Sequence, residues 1–181
     1  LDPNNDNDIP KRAYPNLKKY PLGASGIVSV FSTGQNEYLW KNKNFIRPTS
    51  NNLTIYELLV RDFVDDKRYA TVADSLPYLK KLGINAIELM PVTEFTGNDS
   101  WGYNPTFYYA PDKAYGTKNE LKYLIDQCHE NGIAVILDMV LNQADLENPY
   151  VKMYWDGTNN VPAANNPWLN AAATHPFNVG N

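Results

Sequence analysis

The apolar run at residues 133–137 constrains the fold of this chain more than any other stretch. It follows a helix-ending Asn-Gly pair, and three of its five residues are β-branched. Such a run predicts a strand that is buried on both faces, as in a parallel sheet. Asp138 follows the carboxyl end of this run directly, and Asn142 and Gln143 come shortly after it in the sequence. Ligands bind at this end of parallel strands, although strands also end in Asp simply to begin a turn.

The residues before this strand predict an alternation of strands and helices. Strand formers fill 53–60 and 84–89, and apolar residues repeat along one face of a helix at 71–83. Pro77 predicts either a kink in that helix or a regular part that begins close to Pro77. A capping box opens a second helix at 117–132, and a glycine ends it. The crossover connections between the three strands predict a parallel sheet.

Composition and charge argue against several classes of protein. The chain has 43% apolar and 20% charged residues, which is typical of a globular protein rather than a disordered one. Its net charge of -4 and its lack of a basic stripe argue against a nucleic-acid partner. No apolar run reaches the length of a membrane span. Cys128 is the single cysteine and His175 has no partner at ligand spacing, so the residues predict neither a disulfide framework nor a zinc site.

Two parts of the chain lack the periodicity of a core element. Residues 1–52 carry five prolines and one predicted strand at 26–31, which is too little alternation for a core of their own. They are predicted to pack against a neighbour or to end a domain that lies upstream. The connection at 91–116 and the segment after Gln143 are far longer than the usual links of an α/β fold, which predicts functional loops.

The first of these loops is rich in aromatic residues. Trp101 and Tyr103 flank Gly102, a residue that would let another group approach closely. Flat aromatic faces beside polar side chains suit a ligand with apolar faces and wet edges, such as a sugar ring. For the rings at 107–109 we instead expect packing of the loop onto the rim of the fold.

Several motifs together resemble the α-amylase superfamily of glycoside hydrolases (family 13). The sequence Ile-Tyr-Glu-Leu-Leu-Val-Arg-Asp-Phe at 55–63 looks like the first barrel strand of that family, and 79–91 looks like its first helix and second strand. Ser-Trp-Gly-Tyr-Asn-Pro at 100–105 resembles the second-strand loop of branching-enzyme and pullulanase-like members. Asp-Met-Val-Leu-Asn at 138–142 matches the third-strand motif Asp-x-Val-x-Asn-His.

This resemblance implies an α/β fold, namely a partial TIM (β/α)8 barrel that comprises the first three βα segments, with a mostly irregular N-terminal linker. Residues 53–143 would form three strands and two helices of the barrel. Residues 1–52 are similar to an interdomain linker, the tail of an N-terminal β-sandwich domain missing from this sequence. Residues 144–181 would begin the long excursion after the third strand.

The resemblance also implies roles for single residues. Trp101 and Tyr103 would bind substrate, with the Tyr103 ring stacked on the sugar before the scissile bond. Asp138 would support catalysis by bracing an arginine near the nucleophile. Asn142 resembles a position that ligates a structural calcium ion in calcium-dependent members, and it is a substrate-binding candidate together with Gln143. Gln143 stands where the family has His, so it can donate to a sugar hydroxyl but cannot become cationic.

Retaining glycosidases need two carboxylates about 5–5.5 Å apart, and the resembled family carries them on the fourth and fifth strands. We therefore expect a fragment of an α-glucan-active hydrolase or transglycosylase that is inactive alone and completed by the remainder of its own barrel. The alternatives are a non-catalytic carbohydrate-binding protein that uses loop 98–111, and an unrelated doubly wound domain. Bond preference, hydrolysis or transfer, and compartment stay open, although a polymeric α-glucan favours a secreted or periplasmic location.

Overall fold

The computed structural model describes residues 20–169 with the exception of residue 98. His175 and the outer parts of both predicted end segments, 1–19 and 170–181, lie outside the described residues. The strands are β1 (Ile55–Leu58), β2 (Ala86–Leu89), β3 (Thr93–Phe95), β4 (Pro105–Pro111), β5 (Ala134–Leu137), β6 (Trp155–Asp156) and β7 (Val161–Pro162). The helices are α1 (Val60–Phe63), α2 (Tyr69–Asp74), α3 (Leu76–Lys81), α4 (Lys118–Glu130) and α5 (Pro149–Lys152), with a 3-10 turn at Ser50–Asn52.

The central sheet consists of β1, β2 and β5, which are parallel and stand in that order. Leu58, Leu89 and Leu137 are partners in register, so the three carboxyl ends share one edge of the sheet. The backbone N–H of Asp138 donates to the Leu89 carbonyl at 3.0 Å and extends the ladder by one residue. The segments that follow β1, β2 and β5 therefore all begin at this edge of the sheet.

The expectation that β5 is buried on both faces is wrong for the described residues. Val135 and Ile136 are half-buried, and the Leu137 side chain is 40% exposed. The helices that contact the sheet leave β5 uncovered on its outer edge, because the described sheet ends there. Within the described range, no helix is both long and apolar enough to cross a bilayer.

The predicted helix at 71–83 is divided into α2 and α3, which meet at Ser75. Pro77 lies at the second position of α3, where its missing N–H has no partner within a helix to lose. The regular part of the helix therefore begins close to Pro77, as expected. Leu79 is fully buried in the core, whereas Leu82 lies beyond the end of α3 and is 52% exposed.

The capping box of α4 is present as predicted. The Thr117 hydroxyl accepts from the Glu120 N–H at 3.3 Å, and the Thr117 N–H donates to Glu120 Oε2 at 2.7 Å. The helix ends at Asn131 and Gly132, and the φ of +74° at Gly132 is one that glycine adopts without steric cost. Its buried face includes Leu124 and packs against α2 and β5.

The predicted strand at 26–31 is not present in the structure, where these residues belong to no strand. Val30 and Phe31 are 50% and 84% exposed, so the apolar residues there do not form a strand face. The connection at 91–116, expected to be irregular, instead contains the antiparallel pair β3 and β4. Its register shifts on both sides of Glu94, which explains why the sequence lacks a clean alternation.

Residues 38–42 of the segment before β1 are held against α4. The buried carboxylate of Asp126 accepts from the backbone N–H groups of Lys41 and Asn42, both at 3.0 Å. It also accepts from the Tyr38 hydroxyl at 3.2 Å. One helix side chain therefore fastens residues 38–42 to the fold.

Candidate functional site

Tyr103 and Asp138 meet at the carboxyl edge of the central sheet. Tyr103 lies in the loop between β3 and β4, and Asp138 follows β5 directly. The Tyr103 hydroxyl donates to Asp138 Oδ2 at 2.6 Å, which is the short distance of a charge-assisted hydrogen bond. One residue predicted to bind substrate, Tyr103, and one predicted to support catalysis, Asp138, are thus in direct contact.

The electrostatic environment of Tyr103 is negative. The hydrogen bond to Asp138 is the largest of the effects that raise the pKa of Tyr103 to about 12, followed by burial and by the charges of Asp138, Glu57 and Glu88. The phenol therefore keeps its proton, which it donates to Asp138, to a higher pH than an ordinary tyrosine does. The carboxylates of Asp138, Glu57 and Glu88 thus make the electrostatic potential around the Tyr103 ring more negative.

Glu57 and Glu88 are site residues that the sequence analysis missed. They are partners in register on β1 and β2, and neighbouring strands lie about 4.7–4.9 Å apart. Ile136 is the partner of Glu88 on β5, so Asp138, two residues further on, points to the same face. The signal in the sequence was a Glu-Leu pair that interrupts the apolar pattern of both strands.

Gln143 fastens the Tyr103 loop to the segment after β5. Its side-chain amide Nε2 donates to the backbone carbonyl of Tyr103. Its backbone carbonyl accepts from the Tyr108 hydroxyl at 2.6 Å. The side chain is only 8% exposed, and its Oε1 atom has no hydrogen-bond partner among the described residues. Gln143 thus holds Tyr103 in place and retains one unused buried acceptor.

Gly102 lets the loop turn beside Pro91. Its φ is +91°, and a Cβ atom added there would lie 2.7 Å from both the Cβ and the carbonyl oxygen of Pro91. The Gly102 N–H donates to Ser100 Oγ at 3.0 Å, and Ser100 in turn donates to Asn104 Oδ1. Only glycine fits this approach without a shift of the backbone.

The remaining predicted site residues lie on the surface. Trp101 is 62% exposed and Asn142 is exposed as well, whereas Tyr103 and Asp138 are half-buried and Gln143 is buried. Across the part of the chain that the structure describes, no three or more His, Cys, Asp or Glu side chains are grouped closely enough to hold a metal ion. The calcium expectation at Asn142 therefore stays a prediction, and we assign no ligands to it.

The expected packing of the rings at 107–109 is wrong for Tyr109, whose side chain is 91% exposed. Phe107 and Tyr108 are half-buried, and the Tyr108 ring stacks against Tyr150 with centroids 6.2 Å apart. Glu94 pairs with Phe107, whereas the preceding β3 residue already pairs with Pro111. The β4 residues between these two pairing points, 108–110, have no paired residue on β3.

Comparisons with known proteins give a consistent result. The sequence matches the family model described as alpha amylase, catalytic domain, over residues 66–168, which is more than half of the chain. It is 33% identical over 151 residues to the malto-oligosyltrehalose trehalohydrolase of Saccharolobus solfataricus, a match that covers 83% of this chain and 26% of that protein. It is 34% identical over 134 residues to the 1,4-alpha-glucan branching enzyme of Saccharophagus degradans, a match that covers 66% of this chain and 18% of that protein.

A solved structure also resembles this fold. A Salmonella typhimurium protein, described provisionally as an alpha amylase, gives a TM-score of 0.63 at 33% identity and covers 75% of this chain and 23% of its own. The chain thus spans about a quarter of the trehalohydrolase and less than a fifth of the branching enzyme.

Proposed function

The chain belongs to the α-amylase catalytic-domain family, and on that premise we propose that it forms part of an α-glucan-active glycoside hydrolase or transglycosylase. The observation that carries the proposal is the hydrogen bond between Tyr103 and Asp138 at the carboxyl edge of a parallel sheet. One similar protein is named as a hydrolase and another as a branching enzyme of 1,4-alpha-glucan. Both hydrolysis and transfer therefore fall within the proposal.

In this proposal β1, β2 and β5 are the first three strands of a (β/α)8 barrel. Active sites of such barrels lie at the carboxyl ends of the strands, which is where Tyr103 and Asp138 meet. The face that carries Glu57 and Glu88 would point into the barrel. The later strands would cover the exposed edge at β5, which otherwise leaves backbone hydrogen-bonding groups unpaired.

Tyr103 would supply the ring on which a glucose unit stacks. Glycoside cleavage passes through a transition state with positive charge on the sugar ring. The negative charges of Asp138, Glu57 and Glu88 around Tyr103 suit that charge. Asp138 would also orient Tyr103 and, as the family resemblance implies, brace an arginine from another strand.

Three further residues complete the proposed substrate contacts. Trp101, exposed on the loop beside Tyr103, would line the same subsite. Gln143 would act on substrate by positioning the Tyr103 ring, since its side-chain amide donates to the Tyr103 backbone carbonyl. Asn142 would contact substrate at the exposed side of this group.

We propose a retaining mechanism whose two carboxylates come from later barrel strands. Such a pair stands about 5–5.5 Å apart, one group acting as nucleophile and the other as acid and base. Glu57 and Glu88 lie within their strands rather than beyond the ends, and Asp138 is engaged by Tyr103. The 181-residue chain alone would therefore be inactive.

Exposed aromatic rings favour a second candidate, a non-catalytic carbohydrate-binding protein that uses loop 98–111. Trp101 is 62% exposed and Tyr109 is 91% exposed, so both present apolar faces to solvent. Flat exposed rings of this kind can bind sugars in a protein that catalyses no reaction. This candidate differs from the first in predicting binding by every form of the protein and turnover by none.

The test compares the chain alone with the protein made from its natural reading frame. We expect release of reducing ends or chain transfer on maltooligosaccharides by the protein from the reading frame, with retained anomeric configuration by NMR, and neither by the chain alone. Tyr103→Ala should lower kcat/KM by about 100-fold or more, since it removes the ring. Tyr103→Phe should lose about 10-fold, since only the bond to Asp138 is lost.

Tyr78→Ala is the matched control, because Tyr78 is an exposed tyrosine on α3, away from the sheet edge. Turnover of starch or pullulan by the pure 181-residue chain would contradict its proposed inactivity. Maltooligosaccharide binding that Tyr103→Ala abolishes, without turnover by the protein from the reading frame, would select the binding protein. A reading frame that stops after Asn181 would refute the enzyme.

A further inference from the structure

A cavity of about 430 Å³ lies between β4, residues 28–30 and the start of α5. Its volume falls within the range of about 300–1,000 Å³ that is usual for small-molecule sites. The residues that line it include none of Tyr103, Asp138 and Gln143. It is therefore distinct from the site at the carboxyl edge of the sheet.

One side of the cavity is an aromatic surface. Tyr108 and Tyr109 come from β4, and Tyr150 comes from α5. The Tyr150 ring lies between Tyr108, at 6.2 Å, and Trp168, at 4.7 Å between centroids. Beside these stacked rings, Tyr109 is 91% exposed. The cavity thus presents an exposed ring whose neighbours are held in place by packing.

The other side of the cavity is polar but neutral overall. Lys113 Nζ lies 2.5 Å from Glu94 Oε1, and the Lys113 N–H donates to Glu94 Oε2 at 2.8 Å. Their side chains are only 11% and 14% exposed. Since the two charges compensate each other, this end does not select an ionic ligand. It offers charged hydrogen-bonding groups to the hydroxyls of a neutral one.

We propose that this cavity is a second sugar-binding site, separate from the catalytic edge. A pyranose ring rests with its apolar face on Tyr109, and its hydroxyls approach the pair of Glu94 and Lys113. An apolar wall opposite a compensated ion pair matches a ring with apolar faces and hydroxyl edges better than it matches an anion or a cation. That the sugar belongs to an α-glucan rests on the proposed function.

The test measures how far glycogen in a native gel retards the protein. It uses both the 181-residue chain and the protein made from its natural reading frame. Tyr109→Ala is the informative variant, because an almost fully exposed side chain contributes little to folding. We expect its dissociation constant for glycogen to rise by about 3- to 10-fold, as the loss of one aromatic stacking contact predicts. Tyr78→Ala, the exposed tyrosine on α3, should bind glycogen as the wild type does.

Tyr103→Ala separates this inference from the proposed function. If Tyr103→Ala weakens binding and Tyr109→Ala does not, the inference fails and the proposed function stands. If Tyr109→Ala lowers Tm and leaves glycogen binding intact, the cavity is a packing surface, and the inference is overturned. Wild-type protein that neither binds nor converts glucan overturns both. Additive weakening by Tyr103→Ala and Tyr109→Ala supports two separate sites.

Discussion

Replacement of Asp126 by alanine tests how the segment at residues 38–42 is held on α4. The Asp126 carboxylate is fully buried and accepts two backbone hydrogen bonds at 3.0 Å, from Lys41 and Asn42. The Tyr38 hydroxyl adds a third at 3.2 Å, and the Asn42 side-chain amide adds a fourth at 3.3 Å. Alanine removes both acceptor oxygens and leaves four donors without the carboxylate that they faced.

The magnitude follows from the number of bonds and their exposure. A hydrogen bond to a charged group contributes about 1.5–3 kcal/mol. The donors are only partly buried, so water replaces some of the lost interaction, and we expect Asp126→Ala to cost about 2–4 kcal/mol. For a chain of this size that corresponds to a fall in Tm of about 5–15 °C. Asp126→Asn keeps one acceptor oxygen and should cost about half as much.

The pH dependence of this effect has a definite sign. Burial alone would raise the pKa of Asp126, but the hydrogen bonds from Lys41, Asn42 and Tyr38 outweigh it and hold the pKa below 3.8. The stabilisation is therefore fully present above pH 3.8 and is lost as pH falls through the lower pKa of the folded state. Burial lowers the pKa of His129 and the charge of Asp126 opposes this in part, so the free energy of unfolding also falls as pH drops below 6.5.

The assay combines thermal unfolding with hydrogen exchange at residues 38–45. Asp126→Ala should lower Tm and remove amide protection in this segment, and the Tm difference from wild type should shrink below about pH 4. Asp74→Ala is the control, since Asp74 is an exposed carboxylate of α2. Unchanged protection of the Lys41 and Asn42 amides in Asp126→Ala would refute the reasoning, because these are the groups that the carboxylate holds.

Two further predictions concern Gly102 and Cys128. Gly102→Ala should cost about 2–4 kcal/mol and speed hydrogen exchange in the Tyr103 loop, since it adds left-handed strain and a 2.7 Å contact with Pro91; a Tm within about 1 °C of wild type would contradict this. Burial raises the pKa of the Cys128 thiol to about 12, so it should resist a thiol reagent at pH 8 until urea unfolds the chain. Labelling of the native protein as fast as a free thiol would show that α4 opens.

The sequence by itself determined the strands of the central sheet, helix α4 and their order, but it did not predict β3 and β4. The capping box at Thr117 and the glycine at Gly132 specify both ends of α4, because each acts on backbone groups within a few residues. The apolar run before Asp138 specified β5 for a similar reason. The motif resemblance to the α-amylase family was equally local, and the family match over 66–168 confirmed it.

Tertiary structure alone decided which of these residues meet. Tyr103 reaches Asp138 across 35 residues, and the Asp126 carboxylate reaches Asn42 across 84. Contacts of this kind depend on strand register and on the path of loops, neither of which is encoded in the pattern of near neighbours. For the same reason the glutamates of β1 and β2 were recognised as part of the site only once their register placed them beside Tyr103.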